Sequence, residues 1–349
     1  MKRRRYLSSS TERAGTRASC DASPSMARQL IVALVAFFAL VGIVSSTSAQ
    51  TSKRPVIGVL SPFIDAESTF LKDLRDGLDE LGLRDGQSIA IEYRSAEGRI
   101  DRLPTLAKEL VDRRVDVVVT ATAPAIRFVQ QATQTIPIVM ARVGDAVDQG
   151  FVASLARPGG NITGVSWFEP ELSAKRLELL KETLPNIVRV GVLREASAGA
   201  ASAIAVRSGA SKLGLVPSFF EVRSPDEFPT AISAMANAKV EAVEVLEGLM
   251  IFNGIQPLVA LADHYRLPVI FPDRSFVEAG GLLSYGPDFL ETHRRTTEIV
   301  AKILRGARPG DIPVEQPTKF EFAINSKTAK ALGIRIPPAV VQRADAVID

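Results

Sequence analysis

From Val56 onward the chain alternates short apolar runs with amphipathic stretches, and this alternation constrains the fold more than any other feature. Val56–Leu60 (VIGVL) is continuously apolar, as expected of a strand buried on both faces. Ile89–Tyr93, Val115–Val119 and Ile136–Met140 are the next predicted strands. Between them, Glu67–Leu81 gathers Phe70, Leu71, Leu74, Leu78 and Leu81 on one helical face, Gly82 ends that helix, and Leu103, Leu106, Leu110 and Val111 repeat the stripe. Pro124–Ala132 is a third predicted helix. Strands alternating with helices of this length make right-handed βαβ crossovers, so the fold class is α/β with a parallel sheet covered by helices.

One stretch, Gly144–Phe168 (GDAVDQGFVASLARPGGNITGVSWF), interrupts the rhythm. A short helical run is predicted over Gly150–Ala156, closed by Arg157-Pro158-Gly159-Gly160, where a missing N–H and two glycines favour a tight turn. Ile162–Ser166 then reads as a buried strand that completes the first half. After Trp167-Phe168 a helix opens at Glu169-Pro170-Glu171, with Pro in its first turn and acids against the positive dipole end. Such a crossing between two α/β units is a hinge candidate, and hinges border clefts. The second unit repeats the pattern: helices over Leu172–Leu184, Ala200–Leu213, Pro225–Ala236 and Ile255–Tyr265, and strands over Val188–Leu193, Val216–Val222, Ala242–Leu246 and Pro268–Phe271. The tail departs from it, with a short glycine-bounded run at Gly280–Gly286, a long helix over Asp288–Arg305, Phe320–Ile324 (FEFAI) and a last helix from Asn325. Too small for a third domain, this tail is expected to be shared between the two halves.

Residues 1–49 stand apart. Leu30–Val44 is an uncharged, apolar run of fifteen residues between Arg28 and Ser45-Ser46-Thr47-Ser48-Ala49. This is the order of a secretory signal peptide with cleavage after Ala49, and it is shorter than the ~20 residues that span a bilayer with ease. An uncleaved anchor is the alternative, and Met26 is a candidate true start that would leave residues 1–25 untranslated. Charge follows the same division: residues 1–49 hold seven Lys/Arg and two Asp/Glu of the chain's 42 and 39, so the remainder holds 35 and 37 and is net −2. No basic footprint for nucleic acid is left after residue 49. Cys20, the single cysteine, also lies in the leader, so the exported part has neither a disulfide nor a thiol nucleophile. The expected compartment is the periplasm.

Four blocks carry a resemblance: ASLARPGGNITGVS (Ala153–Ser166), GGLLSYGPDF (Gly280–Phe289), KILRGARPGDIPVEQPTKFEFAIN (Lys302–Asn325) and AKALGIRIPPAVVQRADAVI (Ala329–Ile348). Taken together these resemble the ABC-transporter substrate-binding proteins of the tryptophan-binding type. One departure is Ala146, where that family usually has proline after Gly-Asp. The resemblance implies a type I periplasmic binding protein architecture: two Rossmann-like lobes with parallel sheets, three crossings and a ligand cleft between them. The crossings are expected near Val165–Phe168, Pro272–Tyr285 and Arg308–Phe320. The lobes are then residues 54–166 with about 276–308, and residues 167–275 with about 309–349.

In open α/β sheets, ligands lie outside the carboxyl ends of the strands. By position, Ser61 and Phe63 follow the first strand. Thr120-Ala121-Thr122 joins the third to a helix, where the threonines either cap it or, with backbone N–H groups, take a carboxylate. Asp145 after the fourth strand either binds an ammonium or forms a turn. In the second half, Glu195 and Ser197, Glu247 and Asp273 follow strands. Related amino-acid binders imply an acid here on the ligand amine, with Glu247 or Asp273 in that role, and salt bridging or capping as the alternative. Trp167 and Tyr285, at two crossings, either stack on a ligand or pack the hinge.

No GxGxxG, GxxxxGK[ST] or GxSxG motif is present. The two histidines, His264 and His293, have no ligand partner at metal spacing and read as helix-surface residues. No catalytic residue, cofactor or metal is therefore expected, nor any nucleic acid. The expected activity is binding of a small organic solute, an amino acid or a related compound, by a monomer that closes over it and delivers it to an ABC permease in the inner membrane. A periplasmic receptor that signals without transport, and an exported enzyme using the same cleft, are the competing readings.

Overall fold

The computed structural model describes residues 54–63, 69–167, 169–196, 198 and 200–349; the expected leader, residues 1–49, and Ser197 lie outside them. Five apolar runs form the first sheet: β1 (Val56–Ser61), β2 (Ala90–Ser95), β3 (Val117–Ala121), β4 (Ile138–Gly144) and β5 (Ile162–Trp167), all parallel in the order β2-β1-β3-β4-β5. Three helices connect them: α1 (Thr69–Glu80), α2 (Leu103–Asp112) and α3 (Ala123–Ala132). Alternation along each strand sends Leu60, Val118, Ile138 and Met140 to the face covered by α2 and α3. Ile57, Val59, Val117, Val119 and Val139 face α1 on the other side. Both faces are apolar because both are covered.

The second sheet follows the same logic with more strands. In chain order come α4 (Glu169–Thr183), β6 (Arg189–Glu195), α5 (Ala200–Lys212), β7 (Val216–Val222), α6 (Phe228–Asn237), β8 (Ala242–Val245), α7 (Leu249–Asn253), α8 (Ile255–His264), β9 (Val269–Phe271), α9 (Arg274–Glu278) and β10 (Leu283–Pro287). The tail adds α10 (Phe289–Leu304), β11 (Phe320–Asn325), α11 (Ser326–Leu332), α12 (Pro338–Val341) and β12 (Ala346–Ile348). The sheet order is β12-β11-β10-β9-β8-β6-β7, parallel except where β11 runs antiparallel to β10. One face packs on Leu177, Leu180, Val206 and Ala210 of α4 and α5, the other on Phe228, Ile232, Met235 and Leu258 of α6 and α8. Arg176, fully buried in α4, donates from Nε to the Tyr285 carbonyl at 2.7 Å and bolts that helix to β10.

The tail packs on both sheets. Ile299, Val300 and Ile303 of α10 pack against the first sheet, and Glu315 pairs with β5 through Ser166 N–H to Glu315 O (3.0 Å) and Glu315 N–H to Gly164 O (2.9 Å). The chain therefore crosses between sheets at 167–169, 287–289 and 315–320. The second crossing lies just beyond the expected Pro272–Tyr285, because β10 extends the second sheet as far as Pro287. Residues 276–287 consequently sit with the second sheet and 309–315 with the first, which corrects the expected lobe boundaries at both places. The two later crossings are tied together. Asp288 caps α10 by accepting from Leu290 N–H (3.0 Å) and Glu291 N–H (3.2 Å), and its other oxygen meets Lys319 Nζ at 2.5 Å. Arg295 spans Glu291 (2.7 Å) and Glu315 (2.9 Å).

Three further readings change. Gly150–Ala156 is a turn and irregular chain rather than a helix, because Gly150 takes φ +72° and its N–H closes a turn on Val147 O. His293 is buried at the α1–α10 contact, its Nδ1 2.7 Å from Asp73 Oδ2 and its ring edge-on to Phe70. Gly164 sits at φ +141°, and a β-carbon there would lie 2.2 Å from the Met140 carbonyl oxygen of β4, so no other residue fits at this point of β5.

Candidate functional site

Between the two sheets' carboxyl ends lies a cleft of about 790 Å3. From the first lobe it is lined by Thr122, Phe128, Arg142 and Asp145, and from the second by Glu195, Glu247, Gly248, Leu249 and Phe252. Its size and mixed walls are those of a small-molecule site.

Two local irregularities shape the first-lobe wall. Between β3 and α3 the chain turns through Thr122 at φ +69°, ψ 146°, a region that a β-branched residue rarely occupies. Thr122 stands at the N-cap position of α3, yet its hydroxyl makes no capping bond and its Oγ1 has no partner among the described residues although it is buried. The second irregularity is in β4. Its pairing with β3 and β5 slips by one residue between Met140 and Val143, so Val143 joins the same core face as Met140 rather than the opposite one. This bulge releases Arg142 from the alternation and places its side chain in the cleft. Asp145 follows at φ +54°, held by its N–H to Trp167 O (2.8 Å) and its own carbonyl to Gln149 N–H (2.9 Å).

The second-lobe wall is built from acids with protein partners. Glu195 Oε1 accepts from Met250 N–H (2.6 Å) and Ile251 N–H (3.3 Å), capping the start of α7. Gly248 lies beneath it: a β-carbon there would come within 2.2 Å of that oxygen and push the Glu195 side chain off its cap. Glu247 receives Trp167 Nε1–H on Oε2 at 3.0 Å and faces Arg142 Nε from Oε1 at 3.5 Å. The Arg142 guanidinium carbon lies 3.5 Å from the Phe252 ring centroid and 5.9 Å from that of Phe63, and the two rings meet edge-on at 6.4 Å.

Set against the expected site, Thr122, Asp145, Glu195 and Glu247 converge on the cleft, Trp167 reaches it through Glu247, and Phe63 borders it. The others do not. Ser61 is buried, its Oγ accepting from Phe63 N–H at 3.3 Å. Thr120 is fully buried and donates to Leu60 O at 2.7 Å, which ties β3 to β1, and Ala121 is enclosed beside it. Asp273 caps α9, accepting from Ser275 N–H at 2.8 Å. Tyr285 stacks on Phe320 at 6.0 Å, and burial pushes its phenol pKa up. Asp273 and Tyr285 thus show their structural alternatives, a helix cap and ring packing at a crossing, whereas Thr120 ties two strands instead of capping a helix. Arg142, Phe128 and Phe252 were not singled out from the sequence. A lone arginine closing the apolar run of β4 was the one available signal; Phe252 belongs to a short helix that propensity did not suggest. Among the described residues no cluster of His, Cys, Asp and Glu is arranged to hold a metal.

The family model described as ABC transporter substrate binding protein matches residues 56–348. The chain belongs to that family. A curated relative, the tyrosine-binding protein of Clostridioides difficile, is 30% identical over 295 residues, covering 82% of this chain and 83% of its own. Among solved structures, the ABC domain from Streptococcus pneumoniae in complex with L-Trp is 32% identical with a TM-score of 0.78, covering 85% of this chain and all of that one. The ligand-free, open structure of a Clostridium difficile substrate binding protein with adhesive properties is 25% identical with a TM-score of 0.63, covering 84% and 99%. An ABC transporter solute binding protein from Bacillus halodurans, at 16% identity and a TM-score of 0.52, shares the fold. The two-lobed type I periplasmic binding protein architecture is thereby established, and this family's matched members are substrate-binding proteins, not enzymes.

Proposed function

We propose that this substrate-binding protein is the periplasmic receptor of an ABC uptake transporter and that its solute is an amino acid with an aromatic or apolar side chain. The observation that carries this reading is the interlobe cleft, which combines phenyl walls (Phe128, Phe252) with carboxylates and an open helix start. The ligand carboxylate sits at the N-terminus of α3, where backbone N–H groups lack helical partners and the buried Thr122 hydroxyl has none among the described residues. The ammonium lies against Asp145, and the side chain against Phe128, Leu249 and the edge of Phe252. Relatives named for tyrosine and bound to tryptophan support this ligand class. Closure follows because contacts from both walls exist together only when the lobes meet. Transport and the periplasmic location rest on the family and on the leader.

A thermal-shift screen of amino acids, nucleosides, sugars and small carboxylates tests the reading. A ligand at a hundredfold excess over Kd adds about 2.7 kcal/mol to stability. The expected result is a shift for aromatic amino acids that is lost in Asp145→Asn. A shift confined to sugars or nucleosides, or turnover of any compound, rejects it.

A further inference from the structure

Arg142 leaves the first lobe and binds second-lobe groups on two sides at once. Its Nε faces Glu247 Oε1 at 3.5 Å, and its guanidinium lies 3.5 Å above the Phe252 ring centroid. Both the arginine and the glutamate are mostly shielded, with 13% and 16% of their side chains exposed, so the pair is screened less than a surface ion pair. Glu247 is held at its far oxygen by the Trp167 indole at the first crossing, 3.0 Å away. The β4 bulge aims Arg142 into this position, and nothing in strand packing asks for a charged residue there. These contacts join lobe to lobe.

We propose that Arg142 is an interlobe latch that closes the empty protein on itself and so sets the affinity of the cleft for its solute. A binder whose competent state is populated at fraction f has an apparent Kd raised by 1/f, so an arginine that raises f tightens binding without touching the ligand. The latch deepens the proposed receptor function, but its test requires no ligand. A guanidinium suits the role because it stacks on a ring and pairs with a carboxylate at the same time, which a lysine ammonium does less well.

The experiment uses the full chain with Cys20→Ser, carrying donor and acceptor dyes at Lys108→Cys on α2 and Lys212→Cys on α5. Both positions are exposed, one on each lobe. Single-molecule energy transfer on ligand-free protein should show a dominant short-distance population. Arg142→Met should move it to a longer distance, Arg142→Lys should move it in part, and Glu247→Gln should mimic Arg142→Met with no further change in the double variant. If a ligand is found, its Kd should weaken about tenfold in Arg142→Met, as loss of a partly buried cation–π and ion-pair contact implies. Cooperative melting of each variant confirms folding, and Glu247→Gln carries the test if Arg142→Met does not fold. Unchanged distances in both variants, or an open parent chain, overturn the latch. A latch that works in a protein binding no amino acid would instead overturn the ligand assignment alone.

Discussion

The two lobes present their strand ends to the cleft in opposite ways. On the first lobe the rim is irregular: Thr122 and Asp145 both take positive φ, and β4 carries a bulge. The second-lobe rim is conventional. Gly248 is extended at φ −177°, and the acids Glu195 and Asp273 serve as caps for α7 and α9. Residues in sparsely populated backbone regions persist where surrounding structure forces them, and they gather at functional sites. An acid following a strand is therefore a weak indicator of a ligand, because a cap for the next helix needs the same residue in the same place. Backbone distortion separates the two roles.

The largest effect expected from breaking this contrast is at Gly164, beside the first crossing. Gly164→Ala meets Met140 O at 2.2 Å and must also hold φ +141°, so urea unfolding should show a loss of about 3 kcal/mol or more. Gly286→Ala, the corresponding close approach on β10, meets Pro272 O at 2.0 Å without the added φ penalty and should cost less. Equal losses at the two sites would remove the argument from backbone strain. Next comes Glu195→Ala, which leaves two α7 N–H groups uncapped and should destabilise by about 2 kcal/mol in chemical denaturation. Asp273→Ala should cost about 1 kcal/mol, as other cap losses do, and leave ligand Kd unchanged. A large fall in affinity from Asp273→Ala would return that residue to the site.

At Thr122, on the first-lobe rim, the sign reverses. Thr122→Gly removes strain of roughly 1–3 kcal/mol at a smaller entropic cost, so a thermal melt should show net stabilisation of about 1 kcal/mol. Ligand affinity should fall about fivefold with the lost hydroxyl, as for one hydrogen bond. Destabilisation on this substitution would mean that the Thr122 conformation is relaxed.

Much of the fold could be read from apolar runs because period and burial coincide: Ile57–Leu60 and Val117–Val119 are buried on both faces, and one pattern identifies each. The strand expected over Val216–Val222 has the same bounds in the structure. Features that depend on contacts distant in sequence were not legible. The short helix at Leu249–Asn253 exists because Glu195, more than fifty residues earlier, caps it. His293 looks like a surface residue until α10 is packed on α1, where Asp73 meets it. The end of the second sheet at Pro287 depends on pairing of Leu283–Pro287 with Phe320–Asn325, which no local signal announces. Of the strand-end loops, the one after β3 borders the cleft, but no local signal separates Thr120, whose hydroxyl donates to Leu60 O, from Thr122, whose hydroxyl has no partner among the described residues.

The crossings supply the smallest test and extend the comparison to the hinge. The first crossing is tied by the neutral indole of Trp167 on Glu247, whereas the later two are tied by ion pairs around Asp288 and Glu291. Burial alone would raise the Asp288 carboxyl pKa, but the Lys319 ammonium and the N–H groups of Glu291 and Leu290 outweigh it and hold it below the usual range. Arg295, with Thr318 and despite some burial, does the same for Glu291. A carboxyl whose folded pKa is depressed contributes stability above its unfolded pKa, about 4, and that contribution is lost as pH falls through the folded value. The melting temperature should therefore decline from about pH 5 downward, with part of the decline removed in Asp288→Asn. Because this variant keeps the first crossing intact, Trp167 emission at neutral pH should match the parent. An Asp288→Asn chain with an unaltered acid profile would show that the backbone bond from Asp288 N–H to Lys319 O, 3.0 Å long, holds the later crossings without help from charge.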